Sequence, residues 1–128
     1  MVTLGSPSQD LKANYVWPMF EMATGTAQSK NMAEYFGAGE DAIYLSGMAA
    51  GAATKKGVIG YVVPFAIPEV IRHANAFALG AQATHPGAKV RLIWTKSWFD
   101  PGKEKKAAQS LHAAGSDVLG QNVDSPAA

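Results

Sequence analysis

The run "GVIGYVVPF" (57–65) limits the fold more than any other stretch of the chain. It is almost continuously apolar and β-branched, so as a strand it leaves no polar side to face water. A strand buried on both faces belongs to a sheet with helices packed on either side, and such sheets are built from parallel strands.

The neighbouring segments agree. "KVRLIWTKSW" (89–98) and "SDVLGQNV" (116–123) read as two further strands, and the strand cores are expected at 57–63, 90–95 and 117–121. Between the first two lies "IPEVIRHANAFALGAQATHPG" (67–87). Pro68 fits a first helical turn, Glu69 suits the positive end of the helix dipole, and Pro86-Gly87 stops the helix. Ile67, Val70, Ile71, Ala74, Phe77, Ala78 and Ala81 form its apolar stripe. "DPGKEKKAAQSLHAAG" (100–115) is a helix with Asp100 as N-cap, Pro101 in the first turn and Gly115 just past the end. Its "KEKK" reads as a solvated face. Upstream, "MVTL" is the tail of a strand, "SPSQDLKANYVW" (6–17) opens like a helix, and "MFEMATG" (19–25) is β-like. Residues 29–54 read as one helix, because Tyr35, Asp41, Tyr44, Leu45 and Met48 recur at spacings of three, four or six. Four glycines weaken that helix. Strands alternating with helices predict an α/β fold: a parallel sheet with flanking helices.

Composition narrows the function. Hydrophobic residues make up 48% of the 128 and charged residues 16%, enough for a real core. The net charge of +1 gives no support to nucleic-acid binding. Cysteine is absent, which excludes disulfides and thiolate metal sites. His73, His85 and His112 share no ligand spacing, so no metal is expected. There is no GxGxxG, P-loop or GxSxG sequence and no nucleophile–base pair. The reading is therefore a binding protein without cofactor, not an enzyme. No apolar run reaches the roughly 18 residues of a membrane span. The first ten residues lack the basic and apolar stretches of a signal peptide.

In parallel α/β sheets ligands sit beyond the carboxyl ends of the strands. Here those ends lead into "PFAIPE" (64–69), "KSWFDP" (96–101) and "NVDSP" (122–126). Neighbouring strands would gather Phe65, Trp98, Phe99, Asp100, Asp124 and Ser125 at one edge. Aromatic faces beside carboxylates suit a flat ligand with N–H groups, such as a nucleobase. The competing structural roles are a core closure for Phe65 and a helix cap for Asp100. Adjacent residues of an extended chain point to opposite sides. One of Trp98 and Phe99 is therefore expected to belong to the core.

The order of these motifs resembles the basic membrane protein family of ABC transporter substrate-binding proteins, which includes purine nucleoside receptors. The match runs through a Gly-Tyr-Val strand, a Phe-x-Ile-Pro-Glu-Val turn, an Asn-x-Phe-x-x-Gly helix, a Trp-x-x-Ser-Trp-x-Asp-Pro turn and a closing Asp-Ser-Pro. "FEMATG" looks like the family's Phe-Glu-His-Ala-Thr-Gly, with Met22 in place of His. The resemblance implies a partial type I periplasmic-binding fold, with the end of lobe one in 1–56 and the start of lobe two in 57–128. It implies a purine nucleoside or base as ligand and Trp98 as the stacking aromatic, with Asp100 and Asp124 at the same cleft edge and Phe65 at the preceding turn; Phe99 would then point to the core side. It also implies a transporter permease as partner and a periplasmic or membrane-anchored extracytoplasmic location, although a signal peptide and an anchoring cysteine are absent from these residues. Family members are longer, so the chain is expected to be a central part of such a protein. Strand edges left open by that would favour a homo-oligomer. A purely structural, oligomeric role and a nucleoside- or sugar-acting enzyme are the alternatives.

Overall fold

The computed structural model of the chain describes residues 2–3, 20–23 and 29–128. Two compact units divide it, Met1–Ala38 and Gly39–Ala128.

In the first unit β1 (Val2–Thr3), β2 (Phe20–Ala23) and β3 (Met32–Tyr35) pair in parallel and in that order. Phe20 lies opposite Met32, and both are buried. The Phe20 N–H donates to Asn31 O at 2.8 Å. The single helix expected over 29–54 is corrected here: residues 32–35 are a strand. Pairing with β2 supplies the backbone partners that a helix would otherwise give, and Tyr35 is an exposed strand residue instead of part of a helical stripe. The helix expected at 6–17 lies outside the described residues.

The second unit is a parallel α/β layer. It contains α1 (Gly39–Ala53), β4 (Val58–Val63), α2 (Pro68–Thr84), β5 (Lys89–Trp94), α3 (Pro101–Ala113) and β6 (Val118–Gln121). The sheet order is β5-β4-β6, parallel throughout. The three expected strands and two expected helices stand within a residue or two of their sequence limits. β4 is buried on both faces, as its composition requires. Ile59, Tyr61 and Val63 meet Val70, Phe77 and Ala81 on the α2 side. Val62 meets Ala107, Ala108 and Leu111 on the α3 side. The Tyr61 and Phe77 rings stack, with centroids 4.2 Å apart and planes 13° apart. Burial pushes the Tyr61 hydroxyl up to about 12, so it stays neutral.

The helix ends follow from local chemistry. α3 closes in a Schellman arrangement. Gly115 has φ +99°, its N–H donates to His112 O at 2.9 Å, and the Ser116 N–H donates to Leu111 O at 3.1 Å. α1 starts with Glu40 and Asp41 in its first turn, where negative charge suits the helix dipole. Beyond its last turn, Asp117 takes up the amides that would otherwise be left over. The Thr54 hydroxyl and the N–H groups of Lys55 and Lys56 donate to its carboxylate at 2.5, 2.8 and 2.9 Å. Led by the Thr54 hydroxyl, these donors push Asp117 down to about 2.

A pH effect follows. The folded value lies below the unfolded value of about 3.9, so the contribution is complete above pH 4 and is lost as pH falls from 4 towards 2. Urea midpoints measured from pH 5 to pH 2 are expected to fall more steeply in the parent than in Asp117→Asn, which has no carboxylate there to titrate. Equal slopes would remove Asp117 from the acid response.

α1 packs on α2 backbone to backbone. A Cβ on Gly47 would fall on Phe77 O, one on Gly51 on Ala81 O, and one on Gly80 on Tyr44 O. The Thr84 hydroxyl donates across the contact to Met48 O at 2.7 Å. Because of this contact α1 belongs to the later compact unit. Compactness within this chain divides at Ala38/Gly39.

Candidate functional site

All three strands of the second sheet run the same way, so their carboxyl ends lie on one side. The expected loops do converge there. β4 hands over to the β5 loop through Thr95 N–H to Val63 O at 2.9 Å and Lys96 N–H to Pro64 O at 2.9 Å. The loop after β6 joins them through Asp124 N–H to Trp98 O, also 2.9 Å. The chain reverses at Lys96, whose φ of +55° is left-handed. The Thr95 hydroxyl supports the turn by donating to Ser97 O at 2.9 Å.

This turn brings Trp98 over Phe65, with ring centroids 5.8 Å apart and planes inclined by 55°. Phe65 is half-buried, and Trp98 keeps 40% of its surface open. The expectation that Phe99 turns to the core is overturned: it is 64% exposed, more than Trp98. Strict alternation does not hold beyond the strand, because the left-handed residue at 96 has already broken the extended chain.

Asp100 is the N-cap of α3. The Lys103 N–H donates to one oxygen at 3.0 Å and the Lys103 ammonium lies 2.9 Å from the other. The Lys103 amide, followed by its side chain, holds the carboxyl below the usual aspartate range. Asp124 lies exposed beside the turn.

The sequence reading missed Glu104. Far from lying on a solvated face, it is fully buried. Its carboxylate accepts the Asp100 N–H at 2.8 Å and the hydroxyl of Ser125, which is itself buried. A carboxylate one turn into a helix, after an Asp cap, is the available sequence signal, since it can reach back to the cap's N–H. Asn122 and His73 were also missed. The Asn122 amide lies 3.2 Å from Nδ1 of His73, which is buried on α2. Nothing in the spacing of the histidines points to that pair.

Two grooves of this unit lie away from Trp98. One of about 260 Å³ runs between β5 and α3, lined by Ile93, Trp94, Thr95, Lys103, Lys106 and Ala107. Another, of about 340 Å³, lies beside β6 and includes Tyr61, Phe77 and Leu119. Among the described residues no cluster of His, Cys, Asp or Glu could hold a metal ion, and no helix is long and apolar enough to cross a membrane.

A parallel sheet with flanking helices, its strand ends leading into loops on one side, is an α/β fold of the periplasmic-binding type. The chain belongs to the Bmp family, described as ABC transporter substrate-binding protein PnrA-like, which matches residues 9–126. It is 43% identical over 122 residues to a putative ABC transporter glucose-binding protein of Haloferax volcanii, covering 95% of this chain and 31% of that protein. It is 43% identical over 109 residues to a purine-binding protein of Brucella abortus, covering 85% of this chain and 31% of that protein. A solved ABC transporter solute-binding protein of Conexibacter woesei superposes with a TM-score of 0.66 at 24% identity, over 83% of this chain and 37% of that one. The last likeness concerns the fold. The chain spans about a third of the length of the relatives it matches.

Proposed function

We propose that residues 39–128 supply one wall of an interlobe cleft that takes a purine nucleoside or base, with Trp98 stacking on the ring. The observation that carries this is the exposed Trp98 face, backed by Phe65 at 5.8 Å and tied through its carbonyl to the loop that bears Asp124. A base stacks on the indole, and a ring or amino N–H donates to the Asp124 carboxylate. Asp100 contributes by capping the turn, with its remaining lone pairs open to ligand. Phe99 adds apolar surface at the rim. The work is binding and hinge closure without bond chemistry. The purine-binding and glucose-binding relatives are equally similar at 43%, and the choice of a nucleobase rests on its flat ring and N–H donors, which suit an aromatic face beside a carboxylate. Delivery to a transporter permease outside the cytoplasm belongs to the same proposal, as does self-association through the strand edges of β5 and β6.

The test is calorimetric titration with adenosine, inosine and glucose of a protein that carries both lobes. Trp98→Ala is expected to weaken nucleoside binding by about 1–3 kcal/mol, the usual worth of one base–aromatic stack. Phe99→Ala should weaken it less and leave stability nearly unchanged. Glucose binding with no nucleoside binding would sink the purine assignment. A sharp monomer mass in light scattering would remove the self-association.

A further inference from the structure

Of the buried polar groups in the second unit, Glu104 joins two loops that are far apart in sequence. Its carboxylate sits at the start of α3 with no exposed surface. One oxygen accepts the N–H of Asp100, at the end of the Trp98 turn, at 2.8 Å. The other accepts the hydroxyl of Ser125, twenty-one residues further on. Ser125 is held in place in turn: the Gln121 amide donates to its carbonyl at 2.9 Å, and the Ala127 N–H reaches its hydroxyl at 3.3 Å. Between these anchors the Asp124 N–H donates to Trp98 O at 2.9 Å. One buried carboxylate therefore braces both loops of the exposed wall.

A helix cap alone needs only the bonds from Asp100 to the first turn, and these are already made by the Lys103 N–H. The second bond, to Ser125, adds nothing to the helix. It fixes the loop after β6 against the loop after β5. A buried carboxylate oxygen that loses its donor is costly, so the bond resists separation of the loops.

We infer that Glu104 is a positioning residue: through Ser125 it locks the Trp98 turn and the Asp124 loop into one rigid ligand-facing edge. Its use in binding rests on the cleft reading above, but the lock itself does not. Sites held by such a supporting layer keep the spacing between their contact groups, and loosening that layer degrades binding before it degrades the fold.

The experiment is amide hydrogen exchange by NMR on the full chain, without ligand, for Ser125→Ala, Ser125→Thr, Glu104→Gln and Ser125→Ala/Glu104→Gln. Ser125→Ala is expected to speed exchange at Asp124 by about tenfold, the size of one net hydrogen bond. Exchange at Val62, in the middle of the sheet, should stay at the parent rate. Ser125→Thr keeps the hydroxyl and is expected to restore protection. The double variant should exchange at Asp124 no faster than Ser125→Ala alone, because without the Ser125 hydroxyl the side chain at 104 no longer reaches that loop. Unchanged exchange at Asp124 in Ser125→Ala would overturn the inference. So would an equal rise at Asp124 and Val62, which marks general loss of stability. Should Glu104→Gln fail to fold, the Ala and Thr variants at Ser125 decide the matter. Adenosine is then titrated into the parent protein that carries both lobes and into its Ser125→Ala variant. Weaker binding by Ser125→Ala joins the lock to the ligand, and equal binding by the two separates them. Absence of binding by the parent counts against the ligand reading, and the exchange data then judge the lock alone.

Discussion

Phe77→Ala is expected to lower the stability of the Gly39–Ala128 unit by about 3–5 kcal/mol, the range for removing a buried aromatic ring. Phe77 is 3% exposed and stacks on Tyr61, which is 2% exposed. A methyl group there would leave the Tyr61 face without a partner over most of its area. The cavity could not close readily. β4 is fixed between two strands, and α2 is held to α1 along close backbone contacts. Urea unfolding followed by far-ultraviolet circular dichroism gives the number. A loss below about 1 kcal/mol, well under that range, would mean that the stacked pair is not a centre of the core.

The second large effect is expected at Gly80. Gly80→Leu should destabilise by about 3 kcal/mol, the upper part of the range for overpacking. A Cβ at this position would meet Tyr44 O and come within 2.9 Å of Met48 N. Both obstacles are backbone, so no side-chain rotation relieves the collision and α1 must move away from α2. That movement also breaks the bond from the Thr84 hydroxyl to Met48 O. On propensity alone leucine is the better helix former, by a few tenths to about 1 kcal/mol, so the two arguments predict opposite signs. Thermal unfolding of Gly80→Leu beside Gly80→Ala decides between them. A raised midpoint in either variant would show that the helices do not approach as closely as described.

These two positions show where reading along the chain works and where it stops. Phe77 was visible in advance, because it falls on the helical stripe with Val70, Ala74 and Ala81, and a stripe is a local pattern. The glycines were visible only as a weakness. Gly47 and Gly51 lower the helical tendency of α1 when it is considered alone. Their use is to let a second helix approach, and that helix begins well downstream. The strand Met32–Tyr35 was lost for a similar reason. Its residues fit a helical spacing, and only a neighbouring strand makes them β.

The site divides in the same way. Asp100 as cap, Gly115 as helix stop and the three loops at the strand ends all follow from residues close together in sequence. The directions of Trp98 and Phe99 do not, because one left-handed residue at Lys96 cancels the alternation on which the sequence argument depended. Glu104 looks like part of a charged surface run until Ser125 is placed beside it.

What the sequence by itself determined is the parallel α/β class, the order of strands and helices from residue 57 onward, and the edge where the loops after the strands gather. Apolar period, caps and turn residues are local signals, and each is sufficient for its own element. Only the tertiary structure decided which glycines are contacts, which aromatic is outermost, and which carboxylate is buried. Each of those depends on a partner distant in the chain, and burial is a property of the pair.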